Sequence, residues 1–352
     1  MRPLVVLVAS VLVACGSSIE PGEPGGSAGP GDGGGTTPDG APPVEDVDVI
    51  EPTPPTDAAP SAGDTDGGPS SEVGAKTELR FVAVGDTGKG NDGQRKVAAA
   101  IASKCAKDGC DFVQLLGDNI YESGVESTTD PAWTKLFVTP YGDISLPFYA
   151  VLGNHDYGRN GLGGDANRAQ QQVEYTKVST KWKMPAKYWQ REEASVQMIG
   201  LDTQDMMGFS VPKDQQSAVA GWIGASKARW KLAFGHHPYL SNGSHGDAGR
   251  YDRIPLSGQN VKKFFDETIC GKVDVYFGAH DHDREWIKET CQGTELIISG
   301  GGADVRSFRG SHPTYFREAS LGFVYVVIAG GSLTAEFVDE NGAAEFARTI
   351  TK

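Results

Sequence analysis

The sequence predicts an α/β domain in which two β-sheets pack against each other with helices outside, behind an N-terminal stretch that builds no core. Three observations predict it. Short apolar runs alternate with helically spaced segments through the early part of the domain. Strand-like runs then follow one another near the C-terminus without long helices between them, which points to an antiparallel part. Every Phe, Tyr and Trp lies after residue 80, so the bulk needed for a core begins there. The 352 residues leave room for one large domain or two. Acidic residues outnumber basic ones by 46 to 32, and the net charge of −14 argues against a nucleic-acid binder. It does not exclude a small anionic substrate, because a metal ion can supply local positive charge.

The chain starts with MRPLVVLVASVLVAC, a basic Arg2 followed by an apolar run from Leu4 to Ala14. That run is too short for a bilayer span, which needs about 20 residues, so a signal peptide over 1–14 is expected. The ending Leu12-Val13-Ala14-Cys15 resembles the bacterial lipoprotein signal, which implies that Cys15 becomes a lipidated N-terminus. An ordinary cleaved secretory signal is the alternative. Either way the mature chain leaves the cytoplasm, as a membrane-anchored lipoprotein of the periplasm or cell surface, or else secreted. From Gly16 to Lys76 there are 14 Gly, 11 Pro and 12 acidic residues against one Lys. Such a segment buries too little apolar area to offset chain ordering, so a disordered tether is expected over 15–76 and the folded domain over 77–352.

Within the domain, Arg80–Gly85 is a Val-rich strand ending in Gly-Asp-Thr-Gly. Val97, Ile101 and Cys105 repeat at helical spacing and predict a helix over Gln94–Ala106. Asp111–Gly117 and Pro147–Gly153 are the next strands, with a short helix over Pro131–Phe137 between them. Ser195–Leu201, Trp230–Phe234 and Val273–Phe277 repeat the theme, and Glu295–Ser299, Gly322–Ala329 and Leu333–Val338 form the late strand-rich part.

The polar clusters fall at the strand ends. Asp86 follows the first strand, Asp118 the second, and Asn154 and His155 the third; His236 and His280 follow two later ones. Open sheets place ligands beyond the carboxyl ends of their strands. Of the seven His, only His312 stands apart from these motifs. With Tyr121 added, the set is a mixed oxygen and nitrogen donor set suited to Zn, Fe or Mn. In an extended segment both imidazoles of His280-Asp281-His282 reach one side, so each can serve one of two adjacent metals. Two ions about 3.5–4 Å apart clamp a phosphoryl group and generate hydroxide near neutral pH. One carboxylate must bridge them, and Asp118 is central in the series. His155 can act as the acid for the leaving oxygen, with Asp156 expected to orient it. His237 is expected in a supporting polar role. Arg159, Arg168, Arg250 and Arg306 are loop arginines to which no role is assigned.

The ordered motifs Gly85-Asp86-Thr87-Gly88, Gly117-Asp118-Asn119-Ile120-Tyr121, Gly153-Asn154-His155-Asp156, Gly235-His236-His237-Pro238 and Ala279-His280-Asp281-His282 resemble the calcineurin-like metallophosphoesterases. The Tyr three residues after Asp118 makes the chain similar to the purple acid phosphatases, in particular the small, mammalian-type, tartrate-resistant branch. The resemblance implies a four-layer α/β/β/α sandwich. It implies a ferric site of Asp86, Tyr121, His282 and the bridging Asp118, and a divalent site (Fe, Zn or Mn) of Asp118, Asn154, His236 and His280. It implies hydrolysis of phosphate monoesters by a metal-bridging or metal-bound hydroxide, with His155 and His245 over the phosphate. The sequence departs from the family at Ala279, where Gly usually precedes His-x-His. The added Cβ puts the local geometry in question, although the ligands are expected to survive.

Cys105, Cys110, Cys270 and Cys291 allow three disulfide connectivities, of which the local pairs Cys105–Cys110 and Cys270–Cys291 are favoured. The expected partners are a small phosphate-ester substrate and a membrane through the lipid anchor only, with the chain a monomer. Rival readings are a phosphodiesterase on the same centre, a lipid-anchored surface binding protein that keeps its metals, and a redox role for the iron.

Overall fold

Alternation of side chains along the first strand sets the layers. In β1 (Glu78–Val84), Leu79, Phe81 and Ala83 enter one apolar cluster while Val82 and Val84 enter another on the opposite face. That period of two is what a strand buried on both sides requires. The computed structural model describes residues 76–352. The signal peptide expected over 1–14, the lipidation candidate Cys15 and, but for Lys76, the tether expected over 15–76 lie outside the described residues.

β1 pairs in parallel with β2 (Phe112–Leu116), which continues in parallel to β3 (Phe148–Val151) and the two-residue β4 (Trp182–Lys183). A second sheet takes β5 (Trp189–Glu193), β6 (Val196–Gly200), β7 (Trp230–Phe234), β8 (Val275–Gly278), β9 (Arg284–Cys291), β10 (Thr294–Ser299) and β11 (Thr314–Glu318), in the spatial order β11-β9-β10-β8-β7-β6-β5. Its central strands β6, β7, β8 and β10 are parallel, and its edges are antiparallel. The chain then returns to the first sheet, where β12 (Gly322–Ala329) pairs antiparallel with β1 and leads through β13 (Ser332–Asp339) to the edge strand β14 (Ala344–Thr351).

Helices cover both outer faces. α1 (Asp92–Asp108) is capped by the Asn91 side chain, which accepts from the Gln94 N–H, and ends at Gly109 with φ +80°. α2 (Pro131–Trp133) runs on into a π-helical turn over Thr134–Val138, and with α3 (Ala166–Tyr175) it packs on the first sheet. α4 (Lys213–Ala225) and α5 (Gln259–Phe264) pack on the second. Between the sheets Phe81 stacks on Phe112 at 4.9 Å and meets Phe234 and Phe277 edge-on at 5.8 and 5.9 Å. The result is the expected α/β/β/α sandwich, with the strand Trp230–Phe234 at its predicted bounds and α1 two residues longer at each end.

The charged β5 (WQREE) is a strand that its sequence hides, because only Trp189 of it is buried. The disulfides Cys105–Cys110 and Cys270–Cys291 are both formed, so the local connectivity is the one present.

Candidate metal centre

The parallel strands deliver their C-terminal residues to one edge of the sandwich. Asp86 follows β1, Asp118 follows β2, Asn154 and His155 follow β3, His236 follows β7, and His280 and His282 follow β8. Crowding there demands glycine. A Cβ on Gly153 would lie 2.2 Å from Asp118 Oδ1, and one on Gly117, whose φ is +89°, would lie 2.8 Å from His236 Cβ. Asp86, Asp118 and His280 adopt φ of 56°, 51° and 71°, in the left-handed region that L-residues rarely occupy. Each such residue costs about 1–3 kcal/mol and persists where the surroundings hold it, typically at functional sites. Ala279 carries no such strain. Its methyl sits where a Cβ on Gly85 would come within 2.4 Å, so Gly85 makes the room that Ala279 fills.

Four donors meet at one side. Tyr121 Oη lies 2.9 Å from Asp86 Oδ1, 2.9 Å from Asp118 Oδ2 and 3.3 Å from His282 Nε2. A phenol has one hydrogen, so it cannot satisfy two carboxylates and an imidazole together. Burial first, then the two carboxylates, push the Tyr121 phenol well above its ordinary pKa. A cation set among these donors reverses that balance and favours the phenolate.

A second group shares Asp118. His236 Nε2 lies 3.0 Å from Asn154 Oδ1, 3.1 Å from His280 Nδ1 and 3.4 Å from Asp118 Oδ2. His236 Nδ1–H donates to the Leu116 carbonyl at 3.0 Å, and Asn154 Nδ2 donates to the Gly161 carbonyl at 2.8 Å. The Asn154 oxygen and the second nitrogen of His236 are thereby turned on one another as acceptors. Burial disfavours the His236 cation, yet Asp118 raises its pKa to about 9, so Nε2 seeks positive charge from a proton or a metal ion. Burial and the neighbouring imidazoles hold His280 well below its usual range, with a lone pair free. Burial also opposes the ionisation of Asp118, but His236 and then His155 keep its carboxyl well below the usual range. Asp118 Oδ2 faces both groups, while Oδ1 accepts from the His155 N–H at 2.9 Å. The donor chemistry fits two hard or borderline cations bridged by Asp118.

The remaining expected site residues divide. His155 Nδ1–H donates to the Glu122 carbonyl at 2.7 Å, the ring lies 4.3 Å from that of Tyr121, and Nε2 stands 4.0 Å from Asp118 Oδ2. His245 lies over the His280 ring at 4.2 Å. Asp156 does not orient His155, contrary to the sequence reading. Its carboxylate is fully buried and accepts from the N–H groups of Gly153 (2.8 Å), Asn119 (3.0 Å) and Ile120 (3.1 Å) and from Gln172 Nε2 (2.7 Å). His155–Tyr157 is a 3-10 turn, in which adjacent side chains diverge. Burial first, then Asp118, raises the Asp156 pKa to about 6. Asp156 ties the β2 and β3 loops together.

Several site residues escaped the sequence. The buried Asp281, to which the sequence reading gave no role, accepts from Ser241 Oγ (2.6 Å), the His245 N–H (2.7 Å) and the Gly246 N–H (3.1 Å), and so hangs the His245 loop beside the centre. Thr203 Oγ1 accepts from the N–H groups of His236 (3.2 Å) and His237 (3.0 Å) and meets His237 Nδ1 at 2.9 Å. Both oxygen lone pairs are used, so the hydroxyl donates to His237. Arg306 Nη1 donates to His245 Nε2 at 2.7 Å from a point 61 residues away in sequence. A cavity of about 610 Å³ opens from Asn154 and His280 and is lined by Leu162, Met207, Tyr157 and Tyr251.

The chain is similar to known phosphatases. The chain is 28% identical over 308 residues to tartrate-resistant acid phosphatase type 5 of Sus scrofa, covering 76% of this chain and 85% of that one. It is 28% identical over 274 residues to purple acid phosphatase 3 of Arabidopsis thaliana, covering 70% and 69%. Among solved structures, GAP50, the anchor in the inner membrane complex of Plasmodium, shares the fold with a TM-score of 0.64 at 21% identity over 78% of this chain and 89% of its own. A dimetal phosphatase from Danio rerio follows at 0.53 and 13% identity, over 78% and 98%. The calcineurin-like phosphoesterase pattern matches residues 79–284, a span that contains every donor of both groups. The chain belongs to the calcineurin-like phosphoesterase family.

Proposed function

We propose that the chain is a dinuclear metal-dependent phosphatase of the purple acid type, acting on small phosphate monoesters. The observation that carries the reading is the pair of donor groups sharing Asp118 Oδ2, with Tyr121 between two carboxylates. Asp86, Tyr121, His282 and Asp118 would hold a ferric ion, because a phenolate is a hard anionic donor that suits a trivalent metal. Asn154, His236, His280 and Asp118 would hold a divalent Fe, Zn or Mn. When bound, the two ions supply Lewis-acid charge to the phosphoryl oxygens and acidify a water.

The chain's own residues do the rest. The Leu116 carbonyl fixes the His236 ring, so Nε2 faces the centre. The Glu122 carbonyl does the same for His155, leaving its Nε2 to carry a proton over Asp118. That proton goes to the leaving alcohol oxygen, which turns a poor leaving group into a neutral one. His245 is held differently. Arg306 can only donate, so His245 Nε2 accepts, and its Nδ1–H donates to Asp252 Oδ1 at 2.7 Å. A neutral ring so held has no proton to give at Nε2 and no free N–H for a phosphate; it fixes the Arg306 guanidinium beside the centre.

The test is direct. Purified protein should hydrolyse a chromogenic phosphomonoester faster than a diester, hold two metals per chain by elemental assay, and absorb in the visible. A Tyr121→Phe variant that keeps the same colour removes the iron–tyrosinate assignment. Faster diester turnover makes the chain a phosphodiesterase on the same centre. Residues 1–15 add a location to the reading: lipidation at Cys15 would hold the enzyme on a membrane outside the cytoplasm. Release of a Cys15→Ala variant into the soluble extracytoplasmic fraction checks it.

A further inference from the structure

Four arginines beside the centre are left without acidic partners. Arg250, Arg253, Arg306 and Arg309 are exposed, and among the described residues no carboxylate lies within ion-pair distance of any of their guanidinium groups. Of the nine arginines elsewhere in the described domain, Arg80, Arg95, Arg168, Arg191, Arg284 and Arg348 pair with an acid, while Arg159, Arg229 and Arg317 do not. What sets the four apart is their concentration on one rim beside the centre.

Their placement forms a path. The cavity over the candidate ligands, about 170 Å³, is lined by Asp118, His280, His282, His245 and Arg306. A neighbouring cavity of about 440 Å³ shares His245 and Arg306 with it and adds Arg309. A third, about 200 Å³, shares His245 and Arg309 with the second and adds Arg250, Arg253 and His312. Asp252 and Asp247 also line these cavities, but both are engaged. Asp252 accepts from His245, and Asp247 meets His312 Nε2 at 3.0 Å and accepts from the Ser241 N–H at 3.0 Å. Both carboxylates keep their charge, but four guanidinium groups against two carboxylates leave the lining of the outer two cavities net positive.

The backbone beneath them is pinned. The Arg306 N–H donates to the His282 carbonyl at 2.9 Å, and the Arg309 N–H donates to the Asn242 carbonyl at 2.8 Å. Asn242 is itself buried and held by Glu285 through its N–H at 2.8 Å and Nδ2 at 2.7 Å. The segment that carries two of the four guanidinium groups is thus fixed directly to a candidate ligand and to the His245 loop. Guanidinium forks carried on such a fixed backbone match phosphate oxygens two at a time.

We propose that this rim is a second anion subsite, and that the preferred substrate is a small ester carrying a second phosphate, one phosphate at the centre and the other among Arg250, Arg253 and Arg309. The inference rests on the phosphatase reading for the first phosphate. Arg306, which lines the innermost cavity, joins the two positions.

A matched pair of substrates tests it: fructose 1,6-bisphosphate against fructose 6-phosphate, with the full-length protein loaded with metal. The bisphosphate should show kcat/KM at least about tenfold higher, the gain expected from one or two charge-assisted contacts. The triple variant Arg250→Gln, Arg253→Gln, Arg309→Gln should bring the ratio of the two close to one. A ratio near one in the unaltered protein, or a ratio the variant leaves unchanged, overturns the subsite. Calorimetry with inorganic tripolyphosphate gives a reading that needs no turnover. The unaltered protein should bind it about tenfold more tightly than the triple variant, and equal affinity overturns the subsite by itself. Absence of all phosphomonoester turnover alongside tight, arginine-dependent tripolyphosphate binding would sink the phosphatase reading while leaving the subsite standing.

Discussion

His155 and His245 both hang over the candidate centre, and their rings are wired in opposite ways. His155 gives Nδ1–H to a backbone carbonyl and leaves Nε2 free. His245 gives Nδ1–H to the Asp252 side chain and has Nε2 covered by Arg306. A carbonyl is fixed by the fold, accepts only, and cannot titrate. A half-exposed aspartate on a loop can move, and a capped nitrogen has no proton to pass on. In the proposed mechanism the contrast gives proton transfer to His155 and the positioning of Arg306 to His245, although both are histidines at the same mouth.

The comparison breaks outright if the centre holds no cations, so the largest effect comes first. Stripping the metals with a chelator should cut phosphomonoester turnover by about 10³-fold or more, since metal charge is worth several kcal/mol in such sites. The far-UV circular dichroism should hardly change, because none of the donors belongs to the three apolar clusters that hold the sheets and helices together. Full activity of metal-free protein would end both assignments together.

Next in size is His155→Asn. Loss of a positioned acid lowers kcat by about 10²–10⁴, with both metals retained by elemental assay. A substrate whose leaving group needs no proton, such as a nitrophenolate, should lose less than an alkyl phosphate. Equal loss on both substrates would mean that His155 does not protonate the leaving oxygen.

How far this centre was readable depends on the kind of contact. The donors Asp86, Asp118, Asn154, His236 and His280 were legible because short polar residues after apolar strand runs can only end up at the sheet edge. The layers were legible because strand-like runs alternate with helical spacing early in the domain and follow one another without long helices late in it. What stayed hidden was long-range. Glu122 meets His155 through a carbonyl, which leaves no trace in the side chain. Arg306 and Asp252 meet His245 from separate loops, and Thr203 reaches His236 and His237 from the end of β6. Asp156 misled because neighbours in sequence diverge in a 3-10 turn. The strand β14 was missed because it is an edge, with its alternating residues mostly exposed.

His245→Asn and Asp252→Ala sharpen the other side of the comparison. A contact to a charged group is worth about 1.5–3 kcal/mol when buried and less when half exposed, so about a five- to tenfold rise in KM is expected from each, with kcat changed less. The Asp252→Ala variant frees Nδ1–H and lets the ring change tautomer, so it should mimic His245→Asn. If His245→Asn lowers kcat as much as His155→Asn and leaves KM alone, the assignment of roles is reversed.

The smallest effect is the most discriminating for His155. Glu122 holds its Nδ1–H through the backbone carbonyl at 2.7 Å, while the Glu122 carboxylate stands 3.9 Å away and is 67% exposed. An exposed pair at that distance contributes little, so Glu122→Gln should leave kcat within about twofold of the unaltered protein. Asp252→Ala, at the matching position of the His245 arrangement, should not be so mild. A large fall in kcat for Glu122→Gln, with a shifted basic or acidic limb in its pH profile, would mean that a carboxylate tunes His155 after all. The two histidines would then differ in the covering of Nε2 alone, and Arg306 rather than the orienting acceptor would be what separates the acid from the positioning ring.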